Sequence, residues 1–454
     1  LGVEPKGDDG FLQTVIIRTA RLDTSRSRIT FEGRKLPQLR EITLLPDMNR
    51  PSTVGSGELV WVNYGITAAH LGHDDYKGLD VKGKVVMVRT GAPGGFPASE
   101  KAHFSGLATK GDIAASYGAV GLVLVDDTDA AFNTMADLAV KGFMGFLNKD
   151  GTVGSGRMST NQSLAIQAAV RPSFAEGLLG KDLTPRKLGV SIGATAGTNY
   201  RDITSYNVVG MIPGTDPVLK NEYVIHTAHL DHLGVGKPIK GDSIYNGAHD
   251  NASGTSCLLE IAKLYRNAKT RRSVLVAIVT AEEMGLLGSR YLAANPPVPK
   301  GSIVADINTD MPTLIAPMLS VEPLGAWHST LIDQVMVAAK HLELEVQQDH
   351  MPDQVRFVRS DQYSFIRQGI PAMHVKYGLK VANPAFDLRK HIDVWTEAHY
   401  HKPSDEFRDE AFNFEAASRY VKLNFLVGWQ VANATERPRW KDGDFFGQTF
   451  GKQQ

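Results

Sequence analysis

The chain has 454 residues, more than one ordinary domain needs, so two or three domains are expected. Hydrophobic residues at 42% and charged residues at 22% are usual for a globular protein. Lys+Arg and Asp+Glu both total 49, and this balance excludes an electrostatic nucleic-acid binder, which needs a basic excess or stripe.

No apolar run approaches the ~20 residues that span a bilayer. Cys257 is the single cysteine, so an internal disulfide is excluded. The sequence opens on Leu1 rather than Met, which fits a removed signal peptide and a secreted or periplasmic setting. Residues 1–55 hold strand-like runs, LQTVIIRTARL and SRITFEG, and leave through the polar, proline-containing DMNRPSTVGSG. Residues 56–198 are rich in Gly, Ala and Val. GELVWVNYG, KGKVVMVRTG and GAVGLVLVDD read as strands edged by glycine, and GLATKGDIAASYGA as a helix with small residues on one face. GTVGSGRM lacks a strand–turn–helix setting and reads as a loop rather than a dinucleotide motif. From 199 to 454 strand and helix alternate: NVVGMIPG, NEYVIHTAH, TSCLLEIAKLYRNA, SVLVAIVTA, GLLGSRYLAA, GSIVADINTD. That alternation predicts an α/β fold with a mostly parallel central sheet flanked by helices. Such sheets place ligand sites beyond the carboxyl ends of their strands.

Polar clusters occur where those apolar strands stop. YVIHTA runs into His229 and Asp231, and SIYNGA into His249, Asp250 and Asn251. SVLVAIVTA runs into Glu282 and Glu283, IVADINT into Asp310, and EAHYHKPSDEF supplies His401. An isolated Glu-Glu pair is ordinarily a solvated helix start. Several such placements in one alternating domain point instead to a single site at the sheet edge. Imidazole and carboxylate without thiolate suit zinc and its neighbours. Two histidines with four carboxylates exceed what one tetrahedral zinc needs, and match two ions ~3.5–4 Å apart sharing a carboxylate. Asp250, fixed between a turn and the helix it opens, suits the bridge. Asp231, two residues after His229, could accept the second ring N–H. Adjacent glutamates point apart, so one can bind metal while the other serves as general base.

IYNGAHDNASG, TAEEMGLLGS, INTDM and YHKPSD, following AHLD in that order, resemble the co-catalytic di-zinc peptidase family, which includes bacterial secreted aminopeptidases and glutamate carboxypeptidases. KGKVVMVRTG and the small-residue helix before GAVGLVLVDD resemble the protease-associated domain inserted in many members. The resemblance implies a zinc-exopeptidase fold over 199–454, a β-rich insert over 56–198, and residues 1–55 as the leading part of the peptidase domain. It implies two zinc ions bridged by Asp250 and a water or hydroxide. His229 and Asp310 would hold one ion, Glu283 and His401 the other. Asp231 would orient His229, Glu282 would be the general base, and Tyr400 would hydrogen-bond the oxyanion. The chain departs from the pattern at His249, where an acid is expected, and at Gln362 in SDQYSF, where histidine is common.

The expected activity is hydrolysis of peptide substrates, most simply release of N-terminal residues. A carboxypeptidase or dipeptidase is the rival within the fold, distinguished by a pocket arginine in place of unpaired acids. Arg356 and Arg359 could supply it or form structural ion pairs. An inactive receptor-like protein would not need the full ligand set, and a glutaminyl-cyclase-type transferase would need only one zinc. His226, His232 and His399 read as ordinary core or loop histidines. The glycosylation triplets at Asn161, Asn251 and Asn433 read as chance matches. The insert could cap the site and restrict substrate length.

Overall fold

The structure is a computed structural model describing residues 1–154 and 158–451. Ser155, Gly156 and Arg157 of GTVGSGRM lie outside the described residues. Contacts divide the chain into two compact units, residues 1–15 with 205–454, and residues 16–204. Among the described residues no helix is long and apolar enough to cross a membrane.

In the unit of residues 16–204, Ser52–Trp61, Val85–Arg89, Gly121–Val125 and Ile166–Val170 form a parallel sheet in that order. Val85–Arg89, Gly121–Val125 and Ile166–Val170 are short, show no polar alternation and are almost wholly buried, as parallel strands covered on both faces require. Leu107–Ser116 is the small-residue helix expected from the sequence. Ala20, Leu22, Ile29, Ile42 and Leu44 belong to the same core as Trp61, Val86 and Val123. The family resemblance implied that 1–55 lead the peptidase domain, yet only residues 1–15 join that unit, whereas residues 16–55 pack with the middle segment. Their apolar side chains find their buried surface there.

The other unit holds the alternating segment. Its central strands are β1 (Tyr223–His229), β2 (Ser273–Val279), β3 (Ile303–Asn308), β4 (Ser320–Leu324) and β5 (Ala372–Tyr377). The lateral order is β2-β1-β3-β5-β4, parallel throughout except β4, which runs antiparallel to β5. Val208–Ile212 closes the other side, antiparallel to β2. Helix α1 (Ser253–Asn267) buries Cys257, Leu258, Ile261, Ala262 and Tyr265, one face at helical spacing. Helix α2 (Leu287–Ala294) follows β2, α3 (Leu331–His341) follows β4, and α4 (Leu388–His399) precedes His401. Helix α5 (Phe414–Asn433) packs on α1, α3 and β1. Because β1, β2, β3 and β5 are parallel neighbours, their carboxyl ends share one edge.

Candidate metal centre

Each predicted site residue except Tyr400 and His401 lies at or just past the end of a parallel strand, or in the turn that leads into α1. Two groups of metal-ligating type form there. His229 Nε2 lies 3.4 Å from both Asp250 Oδ1 and Asp310 Oδ1. His401 Nε2 lies 3.2 Å from Asp250 Oδ2 and 3.3 Å from Glu283 Oε2. Asp250 thus turns one oxygen to each histidine. Its surroundings fix it: Asp250 N–H donates to Asp405 Oδ2 at 3.1 Å and His249 N–H to Asp405 Oδ1 at 2.9 Å.

Asp231 acts differently from the expected arrangement. His229 Nδ1 is 3.1 Å from the backbone oxygen of Asp231, while the carboxylate is 3.9 Å away. The carboxylate instead accepts the backbone N–H groups of Glu282, at 3.0 Å, and Glu283, at 3.2 Å. It therefore fixes the glutamate turn, and the main chain fixes the imidazole. The turn is sharp, with Ala281 at φ 56°; Met311 at φ 40° and His401 at φ 56° flank the other entries to the site. Non-glycine residues in this region mark backbone held against its preference, a feature concentrated at functional sites.

The two glutamates occupy opposite electrostatic environments. Burial would raise the Glu283 carboxyl, but His232 and His401 beside it hold it down to about 2. Burial raises the Glu282 carboxyl well above its ordinary range, and Asp361, Asp310 and Glu283 add to the effect against His229. Burial opposes the charge on Asp310 as well, yet Lys376 and His229 keep it well below its ordinary value. Lys376 Nζ donates to the Asp310 carbonyl at 2.8 Å, and His374 Nε2 lies 2.7 Å from the same oxygen. Burial lowers His401, but Asp250 and Glu283 bring it up to about 9. A set that pins several carboxylates and imidazoles together without hydrogen-bonding them all has room for cations. Glu283 Oε1 is buried with no hydrogen-bond partner among the described residues. The N–O separations of 3.2–3.4 Å match the edges of a tetrahedron of ligands about 2 Å from zinc. The residues present therefore fit divalent ions of the zinc type.

A cleft of about 240 Å³ opens onto this edge, lined by Glu282, Glu283, Asp310, Tyr400 and His401 among others. Tyr400 stacks on His401 with ring centroids 3.9 Å apart. Arg356 and Arg359 also line it. Arg356 is held in ion pairs with Glu322, at 2.6 Å, and with Asp349. Arg359 has no acidic partner among the described residues. Asp393 in the cleft pairs with Arg389 at 3.0 Å.

His249 stacks on Phe412, centroids 4.0 Å apart, and its Nδ1 lies 3.3 Å from Asp405 Oδ1. Gln362 is fully buried outside the cleft; its Oε1 accepts from Asn308 Nδ2 at 2.9 Å and its Nε2 donates to the Phe357 carbonyl. His226 is a core residue and His399 caps a turn, as read from the sequence. His232 is not an ordinary loop histidine: its Nδ1 lies 2.9 Å from Glu283 Oε1. The close spacing of ligand-type residues in AHLDH, residues 228–232, was the available signal.

Asn251 also escaped the sequence reading. Its amide donates to the His229 carbonyl at 3.3 Å and the Thr309 carbonyl at 3.1 Å. Its oxygen accepts Gly254 N–H at 3.1 Å and Met311 N–H at 3.0 Å. One buried side chain thus ties together the segments bearing His229, Asp250 and Asp310. Such burial leaves no room for a glycan.

The sheet edge and its residue set form a candidate site for divalent metal ions of the zinc type. Residues 207–423 match peptidase family M28, and residues 55–166 match the PA domain. A probable zinc metalloprotease of Pyrenophora teres f. teres (strain 0-1) is 25% identical over 277 residues, covering 52% of this chain and 53% of that protein. Leucine aminopeptidase 2 of Trichophyton equinum is 34% identical over 92 residues, covering 20% of this chain and 16% of its own length. The chain spans about half the length of the curated relatives it matches over the longest stretch. An aminopeptidase structure from Aneurinibacillus sp. strain AM-1 covers 94% of this chain and 85% of its own, at 20% identity and a TM-score of 0.47.

Proposed function

We propose that the protein is a zinc-dependent exopeptidase, releasing residues from the N-terminus of peptides. The observation that carries the chemistry is the separation of Glu282 from Glu283. Glu283 lies against the histidines, whereas Glu282 lines the cleft, its carboxyl raised by burial toward the range of a proton carrier. His229, Asp250 and Asp310 would hold one zinc, and Asp250, Glu283 and His401 a second. Bound zinc would supply Lewis acidity at the scissile carbonyl. Glu282 takes the proton of the attacking water and delivers it to the leaving amine. Asp231, through the backbone of both glutamates, keeps Glu282 aimed into the cleft. Tyr400 hydrogen-bonds the carbonyl oxygen as negative charge develops there, keeping its own proton. The relative named leucine aminopeptidase 2 supports release from the N-terminus, and the extracytoplasmic setting expected from the sequence belongs to the same reading.

A second reading, cleavage next to a free C-terminus, is favoured by one observation: Arg359 lines the cleft without an acidic partner among the described residues. A panel of short peptides with free and blocked ends, assayed with metal analysis, separates the two. Blocking the amine should abolish turnover and amidating the C-terminus should spare it; the opposite pattern sinks the aminopeptidase reading. No cleavage by the zinc-loaded protein would sink both.

A further inference from the structure

The His232 side chain is only 7% exposed. Neither ring nitrogen has a hydrogen-bond partner among the described residues, and the same is true of Glu283 Oε1. Yet Nδ1 lies 2.9 Å from that oxygen and 4.0 Å from Asp250 Oδ2. The distance suits a hydrogen bond but the direction does not, so the two atoms sit side by side rather than aim at each other. Lone pairs converging on a shared cation adopt this arrangement. A buried imidazole with both nitrogens idle costs free energy unless something takes up one of them.

The surroundings make room for the ring. Gly247 has φ +67°, and a Cβ there would fall 2.6 Å from His232 Cγ. A side chain at 247 would thus be strained by the backbone and would collide with the imidazole. On its other side the ring stands edge-on to His401, centroids 5.5 Å apart and planes at 73°. Two imidazoles therefore flank Glu283, one beside each carboxylate oxygen.

We propose that His232 is a further ligand of the second ion, joining His401, Glu283 and Asp250. The inference rests on the zinc reading above and goes beyond it: the two ion positions are unequal. The first has one imidazole, His229, and the second has two. Imidazole nitrogens favour zinc, cobalt and nickel over magnesium and manganese. The second position should accordingly fill first and discriminate more strongly among metals.

The test titrates metal-free full-length protein with Zn²⁺ by calorimetry and with Co²⁺ by visible absorption. The unsubstituted protein should bind two ions in unequal steps. His232→Ala should weaken the tighter step by more than about tenfold, the lower bound for losing even an outer partner of a metal ligand, and leave the other step unchanged. The cobalt spectrum of that step should change too. His232→Asn, which keeps a polar side chain, should behave likewise, with the metal-free melting curves of both variants showing that folding is retained. Zinc anomalous density in a crystal of the unsubstituted protein should lie within bonding distance of Nδ1, whatever the variants do. Unchanged affinities and spectra, or density away from Nδ1, overturn the proposal while sparing the peptidase reading. An unsubstituted protein that takes up no zinc overturns both.

Discussion

Glu282 and Glu283 are neighbours in sequence and opposites in role. Glu282→Gln should keep metal content and melting behaviour while losing about 10²–10⁴-fold in turnover, the usual contribution of a positioned proton carrier. Glu283→Gln should lose metal as well. Equal metal loss in both variants, read by elemental analysis, would contradict this division of roles. Asn251→Ala removes the amide that joins three site segments and leaves backbone groups unpaired in a buried setting. A loss of about 2–4 kcal/mol in denaturant unfolding is expected. Sequence reading identified the glutamates but assigned the Asp231 carboxylate to the wrong atom. Whether it meets an imidazole or two backbone N–H groups depends on how close the ends of β1 and β2 bring Asp231 and Glu282, 51 residues apart in the chain.

The secondary-structure elements place these residues through close packing. Gly428 on α5 lies against β1 and α1, and a Cβ there would fall 2.3 Å from His226 Nε2 and 2.4 Å from the Tyr265 hydroxyl. Gly428→Ala should therefore destabilise the unit by about 1–3 kcal/mol, the usual effect of overpacking, despite alanine's better helix propensity. An unchanged urea midpoint would mean that the packing there is loose. His226 itself, 3.0 Å from that hydroxyl, is pushed down to about 3 by burial. It stays neutral in the fold while the unfolded chain takes up a proton below about pH 6.5. Its contribution is complete above pH 6.5 and declines as pH falls toward 3, by up to about 1.4 kcal/mol per unit. Denaturation between pH 7 and pH 5 should show that slope, and His226→Gln should flatten it.

Each of the two units has its own hydrophobic cluster, and the metal centre belongs to one of them. Metal binding stabilises only the folded state of that unit. Saturation at a thousandfold excess over Kd adds about 4 kcal/mol. Chelation should lower the calorimetric midpoint of the unit bearing residues 205–454, and zinc should restore it. A midpoint indifferent to chelator would count against metal occupancy. By itself, the sequence determined which chemistry was possible. Alternating apolar runs required a parallel sheet, and polar clusters at the strand ends required one common edge, because parallel neighbours end together. That local logic picked out His229, Asp250, the Glu282–Glu283 pair, Asp310 and His401; the family resemblance implied Glu283 as the ligand of the pair, and the five expected ligands converge. Only the tertiary structure decided the contacts across that edge. It set His232 beside Glu283, turned Asp231 to the main chain, tied Arg356 to Glu322 while leaving Arg359 without an acidic partner among the described residues, and packed residues 16–55 into the other core. These outcomes depend on ångström-scale separations between segments distant in sequence. Residue type and periodicity constrain which elements form, and the folded packing alone sets the distances between their ends.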